Sequence, residues 1–242
     1  MIEAGVRGIL LDIEGTTTPI AFVHDVLFSY ARNHAGEFLK DNITSDEVRA
    51  DVAMLYEDHA LDVCNDQEPP ALTEDLESLA DYIEWLIDQD RKSTGLKSLQ
   101  GKIWRQGYLD GSLKSQVFPD VAPAFERWRE AGLSISIFSS GSVLAQQLLF
   151  AHTDAGDLTR FIDKYFDTNT GKKGEAESYQ RIAEQMDLEP REIVFISDVV
   201  DELDAAEEAG MKTLLSVRVG NPIPPATHHQ ASNSFDEVNL GI

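Results

Sequence analysis

Asp12 and Glu14 stand two residues apart, after an apolar run and before a turn of Gly15, Thr16, Thr17, Thr18 and Pro19. The run itself, Gly8 to Leu11, reads as a short buried strand. In an open α/β sheet, ligands bind beyond the carboxyl ends of the strands. Positions i and i+2 of an extended segment face the same side. Two carboxylates so placed can serve one site, one as nucleophile or metal ligand and the other as proton carrier. Gly15 lets the backbone approach a ligand closely, and the Thr hydroxyls and turn amides offer donors to an anion. An ordinary strand ending in a polar turn shows the same residues, so the reading depends on partners further along.

Those partners follow in order. The β-branched run Leu133 to Phe138 leads into Ser139-Ser140-Gly141-Ser142, and Ile193 to Ile196 leads into Ser197-Asp198. Between them lies a basic turn, Gly171-Lys172-Lys173-Gly174, just before a helical segment opening at Glu175. Asp12, Glu14 and Asp198 form an all-oxygen donor set that suits Mg²⁺, a hard cation that keeps waters and a substrate phosphate. Ser139 or its neighbours' amides can hold phosphoryl oxygens, and a lysine can balance their charge. Together these residues suit phosphoryl transfer to an aspartate.

The elements that position them are of two kinds. From Phe118 onward, short apolar runs alternate with helical patterns, the signature of a parallel sheet with helices on both faces. Pro119-Asp120 opens one helix and Gly132 closes it. Further helices are expected after Ser142, over 175–186 and over 202–209, and Lys212 to Val217 is the last clear strand. The Pro-rich segment 221–227 and the tail read as surface wrapping, and His228-His229 as loop. Between the first strand and Phe118 the pattern is helical throughout. One helix is expected over 21–40. A second is opened by a Thr44/Glu47 capping box and runs through Leu55 and Tyr56. A loop over 62–71 leads to a third helix capped by Thr73. A fourth, from Leu96 to Arg105, is closed by Gly107. The expected organisation is an α/β, Rossmann-like core, residues 1–19 and 112–242, interrupted by a helical cap over 20–111. Trp85, Trp104 and Trp128 read most simply as packing residues, with Trp104 open to lining a substrate. The acids of 202–208 read as a solvated helix face.

Composition narrows the function classes. The 242 residues carry 43 acids against 20 bases, a net charge of −23. Such a surface repels nucleic acid and anionic membranes, so neither is an expected partner. No apolar run is long enough to span a bilayer. The single cysteine, Cys64, excludes an internal disulfide and fits a reducing cytoplasm.

Asp-x-Glu-Gly-Thr on the first strand, Ser at the second strand end, an isolated Lys and a later Ser-Asp resemble the haloacid dehalogenase superfamily. The phrase Leu-Asp-Ile-Glu-Gly-Thr-Thr-Thr-Pro-Ile, followed by Phe22-Val23, more narrowly resembles the enolase-phosphatases of methionine salvage (acireductone synthases). The resemblance continues through Ile103 to Tyr108, Val117 to Val121, Ser139 to Ser142 with Gln146, Phe166 to Thr168, and Ser197-Asp198-Val199. Most of the superfamily has Asp where this chain has Glu14. The resemblance implies a haloacid dehalogenase-like fold in which the helical insert caps the strand ends. It implies Asp12 as nucleophile and Mg²⁺ ligand, and Glu14 at the general acid/base position and also near the metal. Ser139, Ser140 and Lys173 would bind the substrate phosphate, and Asp198 would complete the metal site. Lys173 is preferred to Lys172 because it stands four residues before Glu177-Ser178-Tyr179, as in the family. A second acid after Asp198 would be Asp201 or Glu202.

The implied reaction converts 2,3-diketo-5-methylthiopentyl-1-phosphate to acireductone and phosphate, in a cytoplasmic monomer with one Mg²⁺ per subunit. The alternative is a Mg²⁺-dependent phosphatase or phosphomutase acting on another small phosphorylated metabolite.

Overall fold

The computed structural model describes residues 5–91 and 93–238. Residues 1–4 and 239–242, the ends of the expected core, and residue 92 of the expected insert lie outside the described residues. The chain divides into two compact units, Met1–Val23 with Lys114–Ile242, and His24–Leu113.

The first unit is built on strand β1 (Gly8–Leu11). Ile9, Leu10 and Leu11 are fully buried, although neighbouring residues of a strand face opposite ways. A strand buried on both faces belongs in the middle of a covered parallel sheet. Its partners are β2 (Ser134–Phe138) on one side and β4 (Ile193–Ser197) on the other, with Gly8 level with Ser134 and Ile193. β3 (Lys164–Phe166), β5 (Lys212–Ser216) and β6 (Ala231–Ser232) extend the sheet to the parallel order β3-β2-β1-β4-β5-β6. β6, level with the end of β5, falls where surface wrapping was expected. Two residues are too few to register as a strand by alternation.

Helix α5 (Val121–Glu130) packs on β2, and α6 (Val143–Ala151) on β3. α7 (Ala176–Met186) and α8 (Val200–Glu208) cover one face, where Leu10, Phe138, Tyr179, Ile182, Phe195 and Leu203 form a continuous apolar layer.

Among its described residues the second unit has four α-helices. The segment Phe22–Phe28, at the junction of the units, is π-helical, and α1 (Ser29–Asn42) continues from it. Wide π turns free backbone carbonyls, and Trp104 Nε1 donates to Leu27 O at 2.8 Å, with its ring stacked on Phe28. Trp104 is therefore a buried packing residue of this unit.

α2 (Asp46–Cys64) starts one residue later than the expected capping box, because Ser45, not Thr44, accepts the Val48 amide. It also runs through Cys64, so the expected loop begins late. Asp62 is buried there, bonded to Tyr82 Oη at 2.8 Å and Arg91 Nη2 at 2.5 Å, a partnership that keeps the last turn helical. α3 (Leu76–Asp88) is capped by Asp75 rather than Thr73. α4 (Thr94–Asp110) is capped by Ser93 and ends at Gly111. Gly107, expected to close it, lies inside the helix, where a Cβ would stand 2.5 Å from Tyr30 Oη. Its small size serves packing rather than termination.

Candidate active site

β1 ends at Leu11, and the next residue, Asp12, still donates its amide to Ile196 O at 3.0 Å. This keeps Asp12 on the sheet's carboxyl edge, buried at 4% exposure. Beyond it the chain coils around a single acceptor. The amides of Thr16, Thr17 and Thr18 all donate to Ile13 O, at 3.2, 2.9 and 2.9 Å. The Thr17 hydroxyl donates back to Asp12 O and Ile13 O. All three threonines are fully buried. The loop therefore uses the three amides and the Thr17 hydroxyl to hold its own shape, whereas the Thr16 and Thr18 hydroxyls are buried without a hydrogen-bond partner. Glu14 is half-buried on this loop, bridged through its backbone to Thr18.

Gly15 has φ +75°, and a Cβ there would collide with the Asp198 carboxylate. Only glycine lets the loop adopt this conformation with Asp198 against it.

Lys173 reaches the site from the turn before α7. Its Nζ lies 2.5 Å from Asp12 Oδ1 and 2.6 Å from Glu202 Oε2, and its side chain is 10% exposed. Tyr179 Oη donates to the Lys173 carbonyl at 2.7 Å, which fixes the turn. Burial works against the Lys173 charge, but Asp12 and Glu202 outweigh it and hold the pKa above the ordinary lysine value. Lys172 is exposed and pairs with Glu175 at 3.0 Å. Of the two lysines, the structure brings Lys173 to Asp12.

Asp198 follows β4. Burial, and then the nearby Asp12 charge, push its carboxyl up to about 7. Glu202, in the first turn of α8, accepts from Ser197 Oγ at 2.9 Å as well as from Lys173. Burial and Asp12 raise its pKa, against the opposing pull of Lys173. Asp201 is exposed, so Glu202 is the acid that comes to the lysine. The solvated-face reading of 202–208 fails at this one position.

Ser139 and Ser140 follow β2. Ser139 is half-buried; its amide donates to Phe166 O at 3.1 Å and its Oγ accepts from the Gly141 amide at 3.2 Å. Ser140 is exposed. Ser142 caps α6, accepting from the Ala145 amide, so neither Ser139 nor Ser140 has that task. Gln146 Nε2 donates to Gly141 O and Phe166 O, both at 2.8 Å, and so pins the turn.

Sequence reading missed two supports. Asn221, expected in surface wrapping, donates from Nδ2 to Gly15 O at 2.8 Å and reaches Asp198 Oδ2 at 3.5 Å. Arg218 is buried and donates from Nε to Thr16 O at 3.0 Å and from Nη1 to Asp120 Oδ2 at 2.5 Å. Its guanidinium lies over the rings of Phe118 and Phe235. Nothing in the sequence pattern around either residue signals a contact with the first strand's loop.

Asp12, Asp198 and Glu202 are three shielded carboxylates around one lysine. Burial, and then the neighbouring Asp12 charge, both disfavour the ionised form of Asp198. A divalent cation held by oxygen ligands would favour that form, so the donor set fits Mg²⁺.

A parallel sheet with such an acid-lysine cluster at the end of its central strand suits a hydrolase that works through an aspartate nucleophile. A family model described as haloacid dehalogenase-like hydrolase matches residues 6–210, and the chain belongs to this family. It is 50% identical to the Enolase-phosphatase E1 of Synechococcus elongatus, over 98% of this chain and 99% of that one. It is 47% identical to the Enolase-phosphatase E1 of Sorangium cellulosum, over 96% and 97%. Among solved structures, the UTR4 protein of Saccharomyces cerevisiae matches with a TM-score of 0.78 and 34% identity, over 96% of this chain and 100% of that one. Among the described residues, no helix is long and apolar enough to cross a membrane.

Proposed function

We infer that this chain is an enolase-phosphatase, converting 2,3-diketo-5-methylthiopentyl-1-phosphate to acireductone and phosphate in methionine salvage. The observation that carries the reading is 50% identity to Enolase-phosphatase E1 of Synechococcus elongatus over nearly the whole of both chains. The Asp12–Lys173–Glu202 cluster supports it chemically.

Asp12 is the nucleophile. Its Oδ1 lies beside Lys173 Nζ, so a phosphoryl group brought to it meets the ammonium at once. Lys173 neutralises phosphoryl oxygens, and Ser139 and Ser140 hold them from the next strand end. Asp12, Glu14 and Asp198 would hold Mg²⁺. When bound, the ion stabilises developing negative charge on oxygen.

In the first step a base takes the proton from C1, next to a carbonyl, and a proton is returned to that carbonyl's oxygen, so that the substrate becomes its enediol phosphate with no net gain or loss of protons. In the second, Asp12 takes the phosphoryl group, acireductone leaves, and water then releases phosphate from the aspartyl ester. Glu14 stands two residues beyond the nucleophile, where a carboxyl can donate to the leaving oxygen and later accept a proton from water. The same reading has the enzyme cytoplasmic and monomeric with one Mg²⁺ per chain, and has the His24–Leu113 unit acting as the specificity cap.

The test is an anaerobic assay of the diketone phosphate with and without Mg²⁺, following ultraviolet absorbance and free phosphate together. Enediol absorbance followed by phosphate release, both dependent on Mg²⁺, is expected. Release from simple phosphate esters with no reaction of the diketone would overturn the substrate and leave a phosphatase of the same fold.

A further inference from the structure

On the flank of the sheet, four ligating groups from two separate chain segments converge. Asp204 and Glu207 stand three residues apart on α8, and so share one face of the helix. His228 and His229 arrive from the Pro-rich segment that leads into β6. One ligand atom from each of the four lies within 4.8 Å of the other three. His228 Nε2 is 2.7 Å from Glu207 Oε2, and His229 Nε2 is 3.0 Å from Asp204 Oδ1. The phosphoryl-transfer site uses none of these residues. Glu202, which does face Lys173, precedes Asp204 by two positions, which places them on different sides of the helix.

We propose that Asp204, Glu207, His228 and His229 form a second metal site, for a transition-metal divalent cation of the Zn²⁺ type. Four properties carry this. The first is ligand type: two imidazole nitrogens with two carboxylates suit Zn²⁺, Co²⁺ or Ni²⁺ rather than Mg²⁺, which favours an all-oxygen shell. The second is spacing. Tetrahedral ligands at Zn²⁺ bond lengths stand about 3.4 Å apart, and the two His–carboxylate pairs are already near that separation.

The third is support behind the ligand. The His229 side chain is 1% exposed, and its Nδ1 lies 2.8 Å from Thr213 Oγ1 on β5. A ligating histidine commonly has its other ring nitrogen held by such a partner, which sets tautomer and ring direction. In the metal-free state Nε2–H donates to Asp204 Oδ1 and Nδ1 can accept from Thr213 Oγ1; with a metal on Nε2 the ring would take the other tautomer, with Nδ1–H donating to Thr213. The fourth is charge. The two imidazole rings lie 4.2 Å apart between centroids, tilted by 37° to one another. Two neutral imidazoles and two carboxylates around a divalent ion sum to zero. Asp204, Glu207 and His228 are exposed, so the ion enters from solvent.

The experiment uses the full chain, first saturated with Mg²⁺, and titrates it with Zn²⁺ against a chromophoric chelator, with Co²⁺ as spectroscopic probe. One equivalent of Zn²⁺ is expected, and it should persist in Asp198→Asn, which disrupts the other site. It should raise the melting temperature of the wild type but not of His228→Ala, whose exposed side chain can be removed without opening the core. Co²⁺ should give the visible absorption of a four-coordinate site with nitrogen ligands. Thr213→Val, which keeps all four ligands, should weaken binding by about 10–100-fold. Phosphate release should be unchanged in His228→Ala. Absence of a Zn²⁺ equivalent, its survival in His228→Ala, or its loss in Asp198→Asn would overturn the proposal. Unchanged affinity in Thr213→Val would overturn the part assigned to Thr213.

Discussion

Arg218 donates from Nε to the carbonyl of Thr16 at 3.0 Å, joining the segment after β5 to the loop after β1. The same guanidinium meets Asp120 at 2.5 Å, and Asp120 Oδ2 also accepts from the Phe235 amide and the Ser234 hydroxyl. One buried carboxylate thus anchors both a cation that holds the Asp12 loop and the chain beyond β6.

Burial alone would raise the Asp120 pKa, but Arg218, the Phe235 amide and the Ser234 hydroxyl outweigh it and hold it below the ordinary carboxylate range. A depressed folded-state pKa contributes stability above the unfolded value of about 3.9, and that stability is lost as pH falls through the folded value. Arg218→Met leaves Asp120 buried without its cation and should cost about 3–5 kcal/mol. Thermal unfolding across pH 3 to 7 checks both points: the wild type loses stability toward the acid end, and Asp120→Asn shows a smaller acid-side slope.

Lys173→Met should lower phosphate release by about 10²–10³-fold, the size expected when one charge-stabilising donor is removed. Lys173→Arg keeps the charge but not the shape, and should recover only part of the loss. Steady-state rates on the diketone phosphate, with a melting curve for each variant, separate lost chemistry from lost fold.

Asp12→Asn should release no phosphate from a folded protein, because the amide cannot form the phosphoaspartate. Chelation of the wild type should likewise stop release, and added Mg²⁺ should restore it. Phosphate release at the wild-type rate from Asp12→Asn would remove Asp12 from the nucleophile's role.

Gly15→Ala meets two penalties at once. The φ of +75° costs a residue with a side chain roughly 1–2 kcal/mol, and the new methyl would collide with Asp198. The Asp198 carboxylate must move, so activity should fall further than stability does. Comparing the loss in kcat/KM with the shift in melting temperature tests this order of effects.

The sheet and the strand-end residues were legible because their signals are local. Apolar runs such as Ile193–Ile196 are continuous where both faces are buried; Asp12 follows one directly and Asp198 follows one after Ser197. Glu202 was only half legible. It stands beside Asp201 with the same chemistry, and the choice between them is made by helix rotation toward Lys173. Helix ends were misplaced where two polar residues compete for one cap, as at Thr44 and Ser45, or where a glycine serves packing, as at Gly107. Asn221, Arg218 and His229 were illegible, because each acts through a tertiary contact with a residue at least sixteen positions away. No periodicity encodes a contact of that range.

The position of β1 has a consequence for synthesis on the ribosome. Both of its hydrogen-bonding neighbours, β2 and β4, lie beyond the entire His24–Leu113 unit. At about 5–20 residues per second, the nascent chain carries an unpaired, fully apolar strand for several seconds before a partner emerges. The contiguous helical unit can fold during that interval, whereas β1 has nothing to pair with. The acid-lysine cluster is therefore assembled late in translation, after β4 and α8 have delivered Asp198 and Glu202. Premature termination anywhere before them yields a chain that holds Asp12 but no site.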